Sequence, residues 1–122
     1  MHELSIAQAL VEQIEQVVKS EGAARATKVM IAVGALSGAD PEALRDAFPL
    51  VSEGTTAEGA ELIVEWVPVR VRCQECGSEF VADDGFVGCA VCASREVEWI
   101  SGRELHILSI EMEADERQVS DV

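Results

Sequence analysis

The feature that most constrains this chain is a pair of Cys-x-x-Cys motifs separated by twelve residues. Two residues between cysteines allow a tight turn that aims both thiolates at one ion. Two such turns close a tetrahedral four-sulfur shell, the preferred structural geometry of zinc. A closed shell leaves no position for a substrate, so we expect it to stabilise a lobe too small to fold alone. The sequence therefore predicts a structural zinc site whose ligands are Cys73, Cys76, Cys89 and Cys92.

Acidic residues outnumber basic ones by 23 to 9, which gives a net charge of −14. This balance argues against a nucleic-acid partner, because such binding depends on neutralising phosphates. It is compatible with solubility alone or with attraction for cations or a basic partner surface, and it does not choose between them. No apolar run approaches the ~20 residues of a membrane span, and the start of the chain lacks the basic segment of a secretory signal. We expect a cytoplasmic protein that binds neither nucleic acid nor a membrane.

Disulfides, an iron centre and a redox dithiol are the alternatives to a zinc site on these cysteines. Thiols stay reduced in the cytoplasm, so clustered cysteines there indicate metal ligands rather than disulfides. Iron in a rubredoxin-like centre is disfavoured because only Phe80, Phe86 and Trp99 supply aromatic side chains near the motifs. A redox dithiol is also disfavoured, since paired motifs at this spacing favour closure around one ion.

Two segments have the pattern of amphipathic helices. In the first, Ser5 and Gln8 have the spacing of a capping box, and apolar residues then recur at helical intervals as far as Val18. In the second, Asp40 is placed as the N-cap and Pro41 as the first helical residue. Pro49 predicts a kink or an early end of that second helix.

Alternating apolar residues predict strands at 27–33, 61–66, 96–101 and 105–112. In the last strand the predicted apolar face comprises Leu108, Ile110 and Met112. The alternation changes phase at Pro68, which indicates a bulge or the point where the chain leaves the main sheet.

The order of these elements predicts an α+β fold with a three-stranded sheet, two helices on one face of it, and an inserted zinc-ribbon-like lobe. We expect residues 1–69 and 103–122 to form the α/β body and residues 70–102 to form the four-cysteine lobe.

The start of the chain offers an unusual set of nitrogen ligands. The α-amine of Met1, the backbone nitrogen of His2 and its imidazole can close adjacent chelate rings, and the Glu3 amide offers a fourth nitrogen. Such a near-planar set suits Ni(II) or Cu(II) rather than zinc. From the residues alone, an exposed terminal histidine remains the ordinary interpretation. The other histidine, His106, is interpreted as a packed or edge residue.

The chain resembles the HypA/HybF hydrogenase nickel-incorporation family along nearly its whole length. The Met-His-Glu start combined with the cysteine pattern is specific, whereas either feature alone would not be. The shared motifs follow in order: Met1–Ser5, Val33–Gly38, Asp40–Leu44, Cys73-x2-Cys76-Gly77, Cys89-x2-Cys92, Gly102–Leu105 and Ser109–Glu111.

The resemblance implies a nickel metallochaperone, not an enzyme, that serves maturation of [NiFe]-hydrogenase and in some organisms urease. It implies Ni(II) as cargo on Met1, His2 and Glu3, with the histidine essential, and structural Zn(II) on the four cysteines. The implied partners are a nickel-handling GTPase and the hydrogenase large-subunit precursor; a second copy of the chain is a further candidate. The alternatives are a zinc-ribbon protein-interaction adaptor, indifferent to His2, and a small electron carrier.

Overall fold

The computed structural model describes residues 2–82 and 88–114, so the predictions for Met1, Phe86 and the residues after 114 lie outside it. The predicted order of helix, strand, helix, strand, cysteine lobe and strand is confirmed. The elements are α1 (Glu3–Ser20), β1 (Ala23–Gly34), α2 (Pro41–Ser52), β2 (Glu61–Val67), β3 (Arg70–Cys73), β4 (Glu79–Val81), β5 (Val97–Ser101) and β6 (Leu105–Ala114). Within the described ranges no helix is both long and apolar enough to cross a membrane.

Helix α1 begins at Glu3, earlier than the capping box predicted. His2 is the N-cap, and its carbonyl accepts a hydrogen bond from the N–H of Ile6 at 3.0 Å. Ser5 therefore lies inside the first turn, and its assignment as the cap was wrong. The helix ends at Ser20 as expected, just before Gly22, whose φ is +66°. The candidate nickel ligand His2 is thus the residue immediately before α1.

The start of α2 is as predicted. The Asp40 side chain accepts a hydrogen bond from the N–H of Glu42 at 3.0 Å, and Pro41 is the first helical residue. The helix continues through Pro49 to Ser52, so the early end is wrong. Leu44 and Phe48 are buried on the inner face, and their packing holds the last turn in place despite the missing N–H of the proline.

The main sheet has the order β2-β1-β6, with β1 parallel to β2 and antiparallel to β6. Both helices cover one face of it, as predicted. Their buried residues join alternate side chains of the central strand β1 in one core. Its largest members are Ile14 and Val18 of α1, Leu44 and Phe48 of α2, and Val29, Ile31 and Val33 of β1.

Strand β6 departs from the predicted alternation. Met30 pairs with Ser109 while the next residue, Ile31, pairs with Ile107, so Leu108 is an extra residue in a β-bulge. The bulge turns Leu108 outward, where it is exposed, and Ile107 packs on the core in its place. The assignment of Leu108 to the inner face was therefore wrong. His106 is exposed on this edge strand.

The chain leaves the main sheet at Pro68, as the change of phase indicated. Strands β3, β4 and β5 form a separate antiparallel sheet of order β4-β3-β5. All three lie within the predicted lobe, and β5 begins one residue later than the alternation suggested.

A close backbone contact joins the end of β1 to the return from the second sheet. The N–H of Gly34 donates to the carbonyl of Glu104 at 2.7 Å, and the N–H of Leu36 donates to the carbonyl of Gly102 at 2.6 Å. A Cβ on Gly34 would lie 2.2 Å from the carbonyl oxygen of Gly102. Only glycine fits at position 34, so this joint packs backbone against backbone.

Candidate metal centres

The four cysteine sulfurs form one compact group. All four Sγ atoms lie within 4.8 Å of one another; those of Cys73 and Cys92 are 3.4 Å apart and those of Cys76 and Cys89 are 3.5 Å apart. A tetrahedral ion with Zn–S bonds of about 2.3 Å needs sulfurs roughly 3.8 Å apart. The arrangement therefore fits a closed zinc site, and the cysteines predicted to share one ion are brought together.

The two motifs have matching backbone hydrogen bonds. In the first, Cys73 accepts at its carbonyl from the N–H of Gly77 at 2.9 Å, and its own N–H donates to Ser78 at 2.8 Å. In the second, Cys89 makes the equivalent bonds with Ala93 and Ser94, both at 2.8 Å. The N–H groups of Cys76 and Val91 also point at sulfurs, those of Cys73 and Cys89, at 3.5 and 3.3 Å. Each turn therefore directs its sulfurs toward the same point.

The acidities of the exposed cysteines show why this group calls for a cation. Hydrogen bonds with Ser78 lower the pKa of the Cys76 thiol to about 6. A hydrogen bond from Ser94 acts in the same direction on Cys92, but the nearby sulfurs, that of Cys73 foremost, raise its pKa to about 12. The close sulfurs thus shift the thiol pKa of these cysteines in opposite directions. A divalent ion bound among them would neutralise the thiolates together.

The second candidate centre begins at His2, at the opposite end of the chain. The His2 side chain is exposed and makes no capping hydrogen bond to α1. Its imidazole is therefore accessible to a metal from solvent. Met1, which would contribute the α-amine, lies outside the described residues.

Glu3 connects the start of α1 to the start of α2. Its Oε2 accepts a hydrogen bond from the backbone N–H of Asp40 at 3.1 Å. This bond from Asp40 holds the pKa of the Glu3 carboxyl below its usual range, so the side chain stays ionised. Sequence reasoning identified both residues separately, as a nickel ligand and as an N-cap. It missed their contact because they are 37 residues apart and share no local pattern.

His2 and Glu3 also line an open groove of ≈ 610 Å³ between the two helices. The first turn of α1 forms one wall. The other wall is one face of α2, consisting of Ala43, Asp46, Ala47 and Leu50. Two of the predicted nickel ligands, His2 and Glu3, therefore line this groove. Neither of them belongs to the four-cysteine group.

Comparison with known proteins shows the family of the whole chain. The model of a family described as hydrogenase/urease nickel incorporation, metallochaperone, hypA matches residues 1–112. The hydrogenase maturation factor HypA of Nitrosospira multiformis is 39% identical over 112 residues, 92% of this chain and 97% of that protein. Its counterpart in Wolinella succinogenes is 39% identical over 117 residues, 95% and 98% of the two chains. The solution structure of the Ni metallochaperone HypA from Helicobacter pylori superposes with a TM-score of 0.67 at 27% identity, covering 94% of this chain and 100% of that one.

Proposed function

The chain belongs to the HypA family of nickel-incorporation metallochaperones, and on that premise we propose that it carries Ni(II) on its first residues and delivers it during maturation of [NiFe]-hydrogenase. The observation that carries the proposal is the placement of His2: an exposed imidazole at the start of a helix, with no capping role that a metal would disturb.

The start of α1 supplies the nitrogens that a nickel site needs. The first N–H groups of an α-helix have no role in its own hydrogen-bond ladder, so the amides of His2 and Glu3 can bind a metal without breaking the helix. The partial positive charge at a helix N-terminus favours their deprotonated form. With the Met1 amine and the His2 imidazole they make a near-planar nitrogen set, which suits Ni(II).

Glu3 has a positioning role in this proposal. The hydrogen bond between its carboxylate and the N–H of Asp40 ties the ligand-bearing segment to α2. The chelating residues therefore stand on the folded body rather than on a loose end, which limits the ordering that nickel must impose. Ligands that take up protons can still release the ion when a recipient offers its own.

Zinc has the separate task of stabilising the lobe. We assign it to Cys73, Cys76, Cys89 and Cys92, whose sulfurs lie close enough together to share one ion. A closed four-thiolate shell binds no substrate and does no redox chemistry with zinc. The separate sheet of β3, β4 and β5 supports the division into a lobe of residues 70–102 and a body of residues 1–69 and 103–122.

The proposed carrier acts by binding and transfer in the cytoplasm, without catalysing a reaction. Its recipients are a nickel-handling GTPase and the hydrogenase large-subunit precursor. The names of its relatives support hydrogenase as the destination, while the family description also includes urease.

The decisive experiment is nickel titration of His2→Ala by calorimetry, with zinc content and circular dichroism measured on the same samples. We expect nickel binding to be lost while one zinc ion per chain and the fold are retained. A second arm adds one residue before Met1, which removes the α-amine and should weaken binding. His106→Ala is the matched control, because His106 is also exposed but lies on β6. Equal nickel affinity in His2→Ala and the wild type would leave a zinc-ribbon adaptor as the better account.

A further inference from the structure

The groove beside the nickel ligands has a distinct composition. Its α2 wall presents Ala43, Asp46, Ala47 and Leu50 at intervals of three and four residues, so that they share one helix face. The two alanines make a shallow apolar floor. Leucines flank it: Leu4 is 53% exposed and Leu50 is 71% exposed.

These leucines are more than isolated surface residues. Single exposed apolar side chains are common, but adjacent ones around a concave apolar floor mark an interaction site. Leu50 lies on the groove face of α2, while the buried face carries Leu44 and Phe48. A side chain inserted over Ala43 and Ala47 would therefore contact leucines on both sides.

The charges of the groove select the kind of occupant. The acidic side chains that line it in the described structure are Glu3 and Asp46, and neither lysine nor arginine is among the lining residues. The whole chain adds to this field with its net charge of −14. A complementary segment is apolar along one side and carries a lysine or arginine that reaches Asp46.

We propose that the groove docks an apolar, lysine- or arginine-bearing segment of the protein that receives the nickel. The inference rests on the proposed function and specifies where the recipient binds. Because His2 and Glu3 line the groove, a segment seated there brings its own metal ligands beside the cargo. Ligand exchange then becomes an intramolecular step at high effective concentration.

Two other occupants fit the observations less well. A second copy would bring another strongly acidic surface against Glu3 and Asp46. The chain's own last residues, 115–122, carry three acids and one base. They follow Ala114, which pairs with Ala23 at the start of β1. That point is at the far end of the 18-residue helix α1 from the groove, a distance of about 27 Å.

The test measures binding of the full-length, zinc- and nickel-loaded chain to two purified probes, the nickel-handling GTPase and the hydrogenase large-subunit precursor of the same organism. Leu50→Ser removes an apolar wall, and Leu108→Ser is its control, since Leu108 is also an exposed leucine but lies on β6. Asp46→Lys reverses the groove charge, and Glu12→Lys makes the same change on α1 outside the groove.

We expect Leu50→Ser to weaken the affinity of at least one probe about tenfold, the loss for an apolar side chain that no longer becomes buried. Asp46→Lys should weaken the same probe and reduce the salt dependence of its association rate. Leu108→Ser and Glu12→Lys should remain within about twofold of the wild type.

Several outcomes would overturn the proposal. The first is unchanged affinity of both probes in both groove variants, and the second is no binding of either probe by the wild type. The third is a loss of self-association in Leu50→Ser, which would assign the groove to a second copy. Nickel titration of Leu50→Ser separates this inference from the proposed function: wild-type nickel affinity with unchanged probe binding refutes the groove alone. Absent nickel binding in the wild type refutes the function itself.

Discussion

Replacement of Gly34 by alanine tests the tight joint between β1 and the return from the second sheet. The new Cβ would lie 2.2 Å from the carbonyl oxygen and 2.3 Å from the carbonyl carbon of Gly102, and 2.7 Å from the nitrogen of Glu104. All three atoms belong to the backbone, so no side-chain rotation can relieve the contact. The backbone at Gly34 and the backbone at Gly102 and Glu104 must move apart by roughly 1 Å to restore ordinary contact distances.

The expected loss of stability follows from these contacts. Inserting a methyl group into a packed site typically costs 1–3 kcal/mol, and we expect about 3 kcal/mol because only the backbone can move. Separation also weakens the 2.7 Å hydrogen bond from the Gly34 N–H to Glu104, which contributes about 1 kcal/mol. A total of about 3–4 kcal/mol corresponds to a fall in Tm of roughly 10 °C or more for a chain of this size.

The assay is urea unfolding of the zinc-loaded protein followed by circular dichroism, with Tm from calorimetry. Gly54→Ala is the matched control because it is the same chemical change at a glycine with φ +79° and no atom within 4 Å of the added carbon. It should lose only about 1–2 kcal/mol, from the left-handed backbone. If Gly34→Ala destabilises the protein no more than Gly54→Ala does, the steric argument is wrong.

Two further predictions concern the zinc lobe. Ala93 has φ +64°, and the equivalent position of the first motif is Gly77 with φ +78°. Ala93→Gly should therefore stabilise the lobe by about 1 kcal/mol, and Gly77→Ala should destabilise it by a similar amount. Equal stability of both variants in urea titrations would contradict this. Removal of zinc with a chelator should abolish the near-ultraviolet signal of Trp99 in β5 while the helical signal of α1 and α2 persists, because the lobe depends on the metal and the body has its own core. Simultaneous loss of both signals would contradict the proposed division of the chain.

Features set by neighbouring residues could be predicted from the sequence. The Cys-x-x-Cys turns, the Asp40-Pro41 helix start and the change of phase at Pro68 each depend on the chemistry of a few adjacent positions. Their structural outcomes agree with the prediction for that reason. The same applies to the order of helices and strands, since hydrophobic periodicity reports which face of each element becomes buried.

Predictions from a local rule failed where the structure forms a different contact. Ser5 has the spacing of a cap, but α1 continues back to His2, whose carbonyl closes the first turn. Leu108 matches the alternation of its strand, but pairing with β1 places it in a bulge. Pro49 predicted a kink or an early end of α2, yet the helix continues to Ser52, with Leu44 and Phe48 buried. For Leu108 and Pro49 the deciding contacts come from other elements of the fold, whereas the earlier start of α1 depends on a hydrogen bond within its own first turn.

The sequence by itself determined which ligand groups the chain offers: four cysteines at a spacing that suits one zinc ion, and the histidine at the second position that we propose for nickel. Ligand type and local spacing are properties of short segments, so no fold is needed to recognise them. Only the tertiary structure decided where these groups stand. The bond from Glu3 to Asp40, the groove at their side and the contact between Gly34 and Gly102 each join residues distant in the chain. Such contacts exist only once helices and strands pack, because packing alone brings the distant backbones within hydrogen-bonding distance.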